Sequence, residues 1–386
     1  MEFTIPEELK LLQQTVRRFI AEELTPLERQ GAPYEKQLEL RKRARDLGLF
    51  MMHAPAEYGG GDVNTLGLAL VYEEIGKTIL PADFILGMDQ PVNLMTFGTP
   101  EQIERYLRPA IRGERYWGFA LSEPQSGSDA QGIETTAVRD GDEWVLNGRK
   151  LWISRMMVAD FVVLFAVTDK QKRARGGISA FIFDKETPGF QVLRLLDTMN
   201  EDGIRGPTEI LLENVRLPHT ALLGREGDGF KLMQGRLGVQ RTAMAARCIG
   251  MSEWALDQTI AYAKQRVTFG APVADRQGIQ WYFADAAVNI HATRLMTYHC
   301  AWKWDRGDDV RAEASVVKLF ATEMCSKILD MAIQVHGGIG YTKELGLEKM
   351  YRYQRRMRIV EGPSEIHKNV IARSLLRAGK YNMPFS

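Results

Sequence analysis

Only three of the 386 residues are cysteine, Cys248, Cys300 and Cys325, and none stands at metal-ligand spacing from another. A disulfide framework is thereby excluded as the basis of the fold. Reduced, mostly buried thiols in a cytoplasmic setting are the expectation. Charge of one sign is lacking as well: 50 Lys and Arg stand against 49 Asp and Glu, a formal net charge of +1. That balance offers no global field for nucleic acid or an anionic membrane. No apolar run approaches the roughly 18 residues that a membrane span needs. The first residues, Met1-Glu2-Phe3-Thr4-Ile5-Pro6, show no basic n-region and no apolar h-region, so neither a secretory signal nor a transit peptide is expected. The six histidines, His53, His219, His291, His299, His336 and His367, form no metal-like cluster, and no metal site is expected. There is no Gly-x-Ser-x-Gly elbow, which counts against hydrolases. A Gly-x-x-x-x-Gly-Lys phosphate loop and a Gly-x-Gly-x-x-Gly turn between strand and helix are missing too.

What is present is a change of texture along a chain long enough for two or three domains. Apolar residues at 45% and charged residues at 26% exclude disordered, collagenous and coiled-coil classes. Pro6 opens a helical pattern through Leu9, Leu12, Val16, Phe19 and Ile20 that Thr25-Pro26 closes. A second helix carries Leu38, Leu40 and Leu47 and stops at Gly48. Its basic residues, Arg41, Lys42, Arg43 and Arg45, read as a solvated face, because no aromatics are interleaved. Another helix is predicted over 66–78, and a further one capped by Thr99 and Pro100 and ending near Gly113. From about Trp117 short β-branched and aromatic runs alternate with turn signals. Asp140-Gly141 and Asn147-Gly148 both suit tight hairpins, and strands are predicted at 144–146, 161–167, 178–183, 190–196 and 208–215. That spacing suggests a sandwich or barrel. Beyond Gly229 helical periodicity returns, over 229–265, 277–305, 311–335, 343–352 and 364–378. The order helices, strands, helices predicts an α+β protein with domains at 1–116, 117–228 and 229–386.

Four places concentrate residues suited to chemistry. Phe119 to Asp129 is crowded with small and hydroxyl residues that suit an oxygen-rich ligand, or an ordinary polar linker. Gln334-Val335-His336-Gly337-Gly338-Ile339-Gly340-Tyr341 lets a backbone approach something closely, although a helix C-cap and loop would explain part of it. Glu361 follows the apolar pair Ile359-Val360 and precedes a helix start at Gly362-Pro363. There it can serve as a desolvated general base or merely complement the helix dipole. Arg266-Val267-Thr268-Phe269-Gly270, between two long helices, reads as a phosphate grip or as a surface helix end.

Taken in order, four segments resemble the landmarks of the acyl-CoA dehydrogenase family of flavoproteins, over essentially the whole chain. They are Leu121-Ser122-Glu123-Pro124-Gln125-Ser126-Gly127-Ser128-Asp129 followed by Gly132, Lys150-Leu151-Trp152-Ile153-Ser154, Arg266 to Gly270, and Gln334 to Tyr341 with Glu361-Gly362. The resemblance implies an N-terminal helical domain, a central β-barrel-like domain and a C-terminal four-helix-bundle domain. It implies one FAD per subunit, bound without a Rossmann unit, in a homotetramer built as a dimer of dimers. Phe119, Leu121, Ser122 and Ser128 would lie beside the isoalloxazine ring and the phosphates, and Trp152 and Ser154 would cover the ring. Arg266, Thr268, Phe269, Gln277, Gln334 and Gly338 would reach the FAD of the partner subunit. Ser128, Gln240, Arg241 and Gly362 would contact substrate, Arg241 along the pantetheine arm.

The reaction so implied is α,β-dehydrogenation of an acyl-CoA thioester to the trans-2-enoyl-CoA, as in fatty-acid β-oxidation. Glu361 would abstract the α-proton, the β-hydrogen would leave as hydride to flavin N5, and an electron-transfer flavoprotein would take the electrons. The developing enolate oxygen would meet the backbone N–H of Glu361 and a ribityl hydroxyl. Some relatives carry the base on an earlier helix. The matching place here falls at or near Gln240, which cannot act as a base, so Glu361 is preferred. Many members read Glu-Gly-Thr-Ser-Gln after the base, whereas this chain reads Glu361-Gly362-Pro363-Ser364-Glu365. Pro363 removes a hydroxyl and an N–H, and Glu365 sets a negative charge near the cofactor. Alternatives are an oxidase or reductase acting on an unusual thioester, or a non-catalytic FAD- or CoA-binding subunit. The last has no need of Glu361. The acyl group would be selected by walls built from 84–97 and from the helix of Gln240.

Overall fold

The structure, a computed structural model, describes residues 4–88, 92–200, 203–381 and 383. The chain folds into two compact units: one joins 1–55, 60–89 and 238–386, the other 56–59 and 90–237.

The first unit is helical. Its opening helix, Glu7–Phe19, starts after Pro6, with Glu7 and Glu8 in the first turn and Arg17 and Arg18 in the last. That distribution suits the helix dipole at both ends. Rather than closing at Thr25-Pro26, the chain widens into a π-helical turn, Ile20–Leu24, and tightens into the 3-10 turn Thr25–Leu27. The helix Thr65–Ile75 is capped by the Asn64 side chain, which accepts from the Gly67 N–H. It buries almost every residue, because it crosses the long Gly229–Gln265 helix at glycines. A Cβ at Gly250 would lie 1.8 Å from the Glu73 carbonyl oxygen, and one at Gly76 would lie 2.3 Å from that of Arg247. The remaining helices are Gln277–Asp305, Arg311–His336, Leu347–Met357 and Ser364–Ala378. Their shared core includes Cys248, Ile249, Cys325, Leu329 and Met357. The helix predicted at 343–352 is displaced to Leu347–Met357 because Gly346, at φ +71°, breaks helical geometry before it.

The second unit is built on one eight-stranded sheet. The strands are β1 Trp117–Ala120, β2 Thr136–Asp140, β3 Glu143–Ser154, β4 Phe161–Val167, β5 Ile178–Asp184, β6 Phe190–Leu195, β7 Pro207–Pro218 and β8 Leu222–Leu223. They run in the order β6-β7-β3-β2-β4-β5-β8, with β1 parallel to β4. All seven residues of β4 are buried, as its unbroken apolar run requires. Leu146, Leu164, Phe181, Ile210 and Leu217 belong to the core of this unit. The helix start at Thr99 is a full capping box, with Thr99 and Gln102 satisfying each other's backbone N–H.

Gly141, at φ +62°, turns the chain between β2 and β3, as the Asp140-Gly141 pair predicts. Asn147-Gly148 does not form a hairpin. It lies inside β3, where the pairing with β7 shifts register between Leu146 and Gly148. The Asn147 side chain accepts from the Asn214 N–H at 2.7 Å and ties the bulge to β7. The long partner strand keeps pairing past the dipeptide, so tertiary pairing overrides its local turn preference. A second irregularity in β3 falls between Leu151 and Ile153, where Trp152 takes φ +68°. Among the described residues no helix is long and apolar enough to cross a membrane.

Candidate active site

In the sheet unit the site residues sit on a loop that a buried ion pair pins in place. Lys150 points inward from β3 and is fully buried. Its Nζ donates to Glu123 Oε1 at 2.8 Å and to the Leu121 carbonyl at 2.9 Å. The Glu123 carboxylate also accepts from the Thr135 N–H at 2.9 Å, the Glu134 N–H at 2.6 Å and the Gln125 amide at 2.7 Å. Glu123 and Ser126 exchange backbone hydrogen bonds at 2.8 and 3.1 Å, and the Leu151 N–H donates to the Ser122 carbonyl at 3.0 Å. Burial pulls the Lys150 ammonium down to about 8, against the attraction of Glu123. Burial also pushes the Glu123 carboxyl up, but the Lys150 charge and the hydrogen bonds outweigh it and leave Glu123 below the usual carboxylate range.

With its carbonyls drawn inward, the loop presents small groups outward. Gly127 and Ser128 are exposed, and nothing lies within 4 Å of where a Gly127 side chain would stand. That open backbone suits close approach by ligand oxygens. Trp152 projects from the second bulge, 58% exposed, with Ser154 also exposed beyond it. Phe119 is half-buried, its ring 5.0 Å from Phe165. Hydroxyls, open backbone and an exposed aromatic face form a donor and stacking set that fits a flavin nucleotide.

In the helical unit Glu361 and Gly362 form a left-handed turn, at φ +55° and +98°. The Arg241 Nε donates to the Glu361 carbonyl at 3.2 Å, and the Lys318 Nζ to the Gly362 carbonyl at 2.7 Å. His367, on the last helix, backs the turn: its Nε2 lies 3.3 Å from where a Gly362 Cβ would stand. Its ring is fully buried and neither nitrogen has a hydrogen-bond partner. Burial lowers the His367 imidazole to about 3, and the charges of Lys318 and Arg241 add to the effect. Burial likewise lowers Lys318 to about 8 and lowers Arg241, with the Glu361 carboxylate opposing both shifts. Gln240 is half-buried next to Arg241. Glu365 is exposed in the first turn of Ser364–Ala378, where its charge favours the helix dipole.

A second cluster gathers where the Gly229–Gln265 helix ends. Val267–Thr268 and Ala271–Pro272 pair as a small hairpin, with Phe269 at its tip, 99% exposed and at φ +52°. An open hollow of about 580 Å³ lies beside it, lined by Thr268, Phe269, Arg276, Gly278 and Tyr282 among others. The Tyr262 ring stacks on His336 at 4.4 Å, and its hydroxyl donates to the His336 carbonyl at 3.1 Å. Gln334 and Gly338, both exposed, are thereby brought to the same end as Arg266. This end is not the end of the Glu361 turn. Arg241 and Gln265 are separated by most of one continuous helix, about 36 Å at the α-helical rise.

Sequence reasoning missed Lys318 and His367 and gave Lys150 no role of its own. For Lys318 the signal is present. Ala314, Lys318, Ala321 and Cys325 share one buried stripe, and a lysine there is out of place unless something meets its charge.

The chain matches the acyl-CoA dehydrogenase N-terminal domain over residues 6–114, the middle domain over 118–215 and the C-terminal domain over 227–376. It belongs to the acyl-CoA dehydrogenase family. (R)-benzylsuccinyl-CoA dehydrogenase of Thauera aromatica is 37% identical, over 100% of this chain and 99% of that protein. Acryloyl-CoA reductase (NADH) of Anaerotignum propionicum is 38% identical, over 98% and 96%. Butyryl-CoA dehydrogenase from Megasphaera elsdenii superposes with a TM-score of 0.88 at 31% identity, covering 98% of this chain and 100% of that one. The FAD complex of PigA superposes with a TM-score of 0.90 at 26% identity, over 98% and 100%. The chain is therefore an FAD-dependent oxidoreductase acting on the CH–CH group of acyl-CoA thioesters.

Proposed function

We propose that the chain dehydrogenates an acyl-CoA thioester between Cα and Cβ, with Glu361 as the base that takes the α-proton. One observation carries this reading. A glutamate is held in a backbone conformation that side chains rarely adopt, with two cations bonded to the turn that presents it. Such strain collects at functional sites and persists only where surroundings impose it. FAD, when bound, supplies the acceptor for the β-hydrogen and its electron pair. Glu361 receives the proton at its carboxylate, and its backbone N–H is the donor proposed for the developing enolate oxygen. Gly362, Gln240 and Arg241 on the same unit are proposed to line the thioester, together with Ser128 of the sheet unit. Phe119, Leu121, Ser122, Ser128, Trp152 and Ser154 are proposed to hold the cofactor, and Glu365 to lie near it.

We further propose a homotetramer in which Arg266, Thr268, Phe269, Gln277, Gln334 and Gly338 serve the FAD of a neighbouring copy. The length of helix separating this cluster from Glu361 exceeds what one dinucleotide spans, which supports two cofactors rather than one. Trp281, Val288, Leu295 and Trp302 recur every seven residues along Gln277–Asp305 and are all exposed, an apolar stripe suited to helix-on-helix association. Three free, buried thiols support a reducing, cytoplasmic setting. The electrons are proposed to pass to an electron-transfer flavoprotein. Reduction of an enoyl thioester is the second reading, favoured by the likeness to acryloyl-CoA reductase.

The test is anaerobic titration of the flavin-loaded protein with a panel of saturated acyl-CoAs, following loss of the visible flavin band. Bleaching by one member is expected. Glu361→Gln should keep its FAD and lose bleaching by at least a thousandfold in rate; near-normal bleaching would show that another group is the base. NADH-driven reduction of enoyl-CoA without bleaching by any saturated thioester would select the second reading.

A further inference from the structure

We propose that Lys318 is a positioning residue for proton abstraction: through the Gly362 carbonyl it holds the left-handed turn that aims Glu361. The inference rests on the reading of Glu361 as the base. Lys318 lies on Arg311–His336, far from the turn in sequence, and its side chain is fully buried. An ammonium has three donors, and among the described residues the Gly362 carbonyl at 2.7 Å is the hydrogen-bond acceptor recorded for it. No carboxylate there stands within ion-pair distance of it. A buried ammonium so poorly paired disfavours folding. Its neighbours on the stripe, Ala314, Ala321 and Cys325, would accept an apolar chain of the same length. Stability therefore gives no reason for a charge at this place, and the turn does.

The turn needs an outside hold. Glu361 sits at φ +55°, which its Cβ disfavours, and Gly362 follows at φ +98°. Both carbonyls are taken by side chains from other helices, that of Glu361 by Arg241 and that of Gly362 by Lys318. Arg241 is only half-buried, so it can also meet a substrate. Lys318 is enclosed and can act only through the backbone. His367 fills the space behind Gly362 without a hydrogen bond of its own, so it cannot replace either anchor. Lys318 lowered to about 8 by burial is still cationic at neutral pH, with the Glu361 and Glu323 carboxylates favouring its charge and Arg241 opposing it.

The experiment compares Lys318→Met and Lys318→Gln with the wild-type holoenzyme. The base step is read alone by exchange of the α-hydrogen of a 3-thia-acyl-CoA in D2O, since sulfur at the β-position has no hydrogen to give up as hydride. Flavin content, analogue affinity, kcat and KM are measured beside it. Lys318→Met should retain FAD and bind the analogue within threefold, while α-exchange and kcat fall together by at least tenfold. Lys318→Gln, which keeps a donor on a shorter arm, should recover part of both. Wild-type exchange in Lys318→Met overturns the proposal. So does a loss of kcat in both variants that only follows lost flavin or lost fold. A wild-type protein that neither exchanges the analogue nor reduces its flavin overturns the Glu361 reading, and this role falls with it.

Discussion

Breaking the Lys150–Glu123 pair is expected to loosen the cofactor loop by a calculable amount. Lys150→Met removes an ammonium that is 0% exposed and leaves a carboxylate that is 2% exposed without its counter-charge. Removing one partner of a buried pair costs about 3–5 kcal/mol. Three other donors remain on Glu123, from Thr135, Glu134 and Gln125, so the lower end, about 3 kcal/mol, is expected. For a unit of this size that is a fall of about 6–12 °C in the unfolding midpoint. Glu123→Gln should cost about as much, because it strands the ammonium. The double variant should cost about 2 kcal/mol less than the sum, since neither charge is then left alone. The exposed pair Arg216–Asp140, 54% and 59% accessible, is the control: Arg216→Ala should cost under about 1 kcal/mol. Urea unfolding of the holoenzyme, with flavin release followed in parallel, reads all four. FAD affinity should fall at least tenfold in Lys150→Met, because the Leu121 carbonyl loses its anchor. If Lys150→Met unfolds within about 1 kcal/mol of wild type and the two changes simply add, the pair does not pin the loop.

Arg266→Ala should weaken FAD retention or assembly, read by flavin content and by sedimentation; a fully flavinated variant of unchanged size would remove Arg266 from the cross-subunit role. His367 sets an acid limit on stability. Its folded value is about 3, against 6.5 for the free side chain, so the unfolded chain binds the proton first. Its contribution is therefore whole above pH 6.5 and is lost as pH falls toward 3, by at most about 1.4 kcal/mol per pH unit. Between pH 7 and 5 the urea midpoint of His367→Gln should drop less than that of wild type, by up to about 2 kcal/mol in stability; equal drops would mean that His367 is not held neutral.

The helices of the C-terminal half were legible because a long apolar period is a property of the chain itself. Arg311–His336 and Gln277–Asp305 fall within a residue of the expected bounds. Strand positions were legible for the same reason, β4 most of all. The Asn147-Gly148 hairpin failed because turn preference is local while β7 is not. Glu361 stood out in the sequence only as an acid after an apolar pair, and the resemblance gave it a role. Its left-handed turn was not legible, because it depends on which faces of three helices meet. Lys318 and His367 are invisible for that reason: their neighbours in space lie tens of residues away, on Gly229–Gln265 and at Gly362.

The bulge at Trp152 has a consequence for how this strand can change. Along β3 the buried positions are even-numbered at Trp144, Leu146 and Lys150, then odd at Ile153. Trp152 is the extra residue that switches the parity, so one strand both clamps Lys150 inside and displays an indole outside three positions further on. Deleting a single residue there would not shorten the strand harmlessly. It would swap the destinations of everything downstream, turning Ile153 to the surface and Ser154 to the interior. Substitutions in this segment are thus tolerable one at a time, whereas a change of length is a frameshift in space, which only a matching loss in β7 could restore.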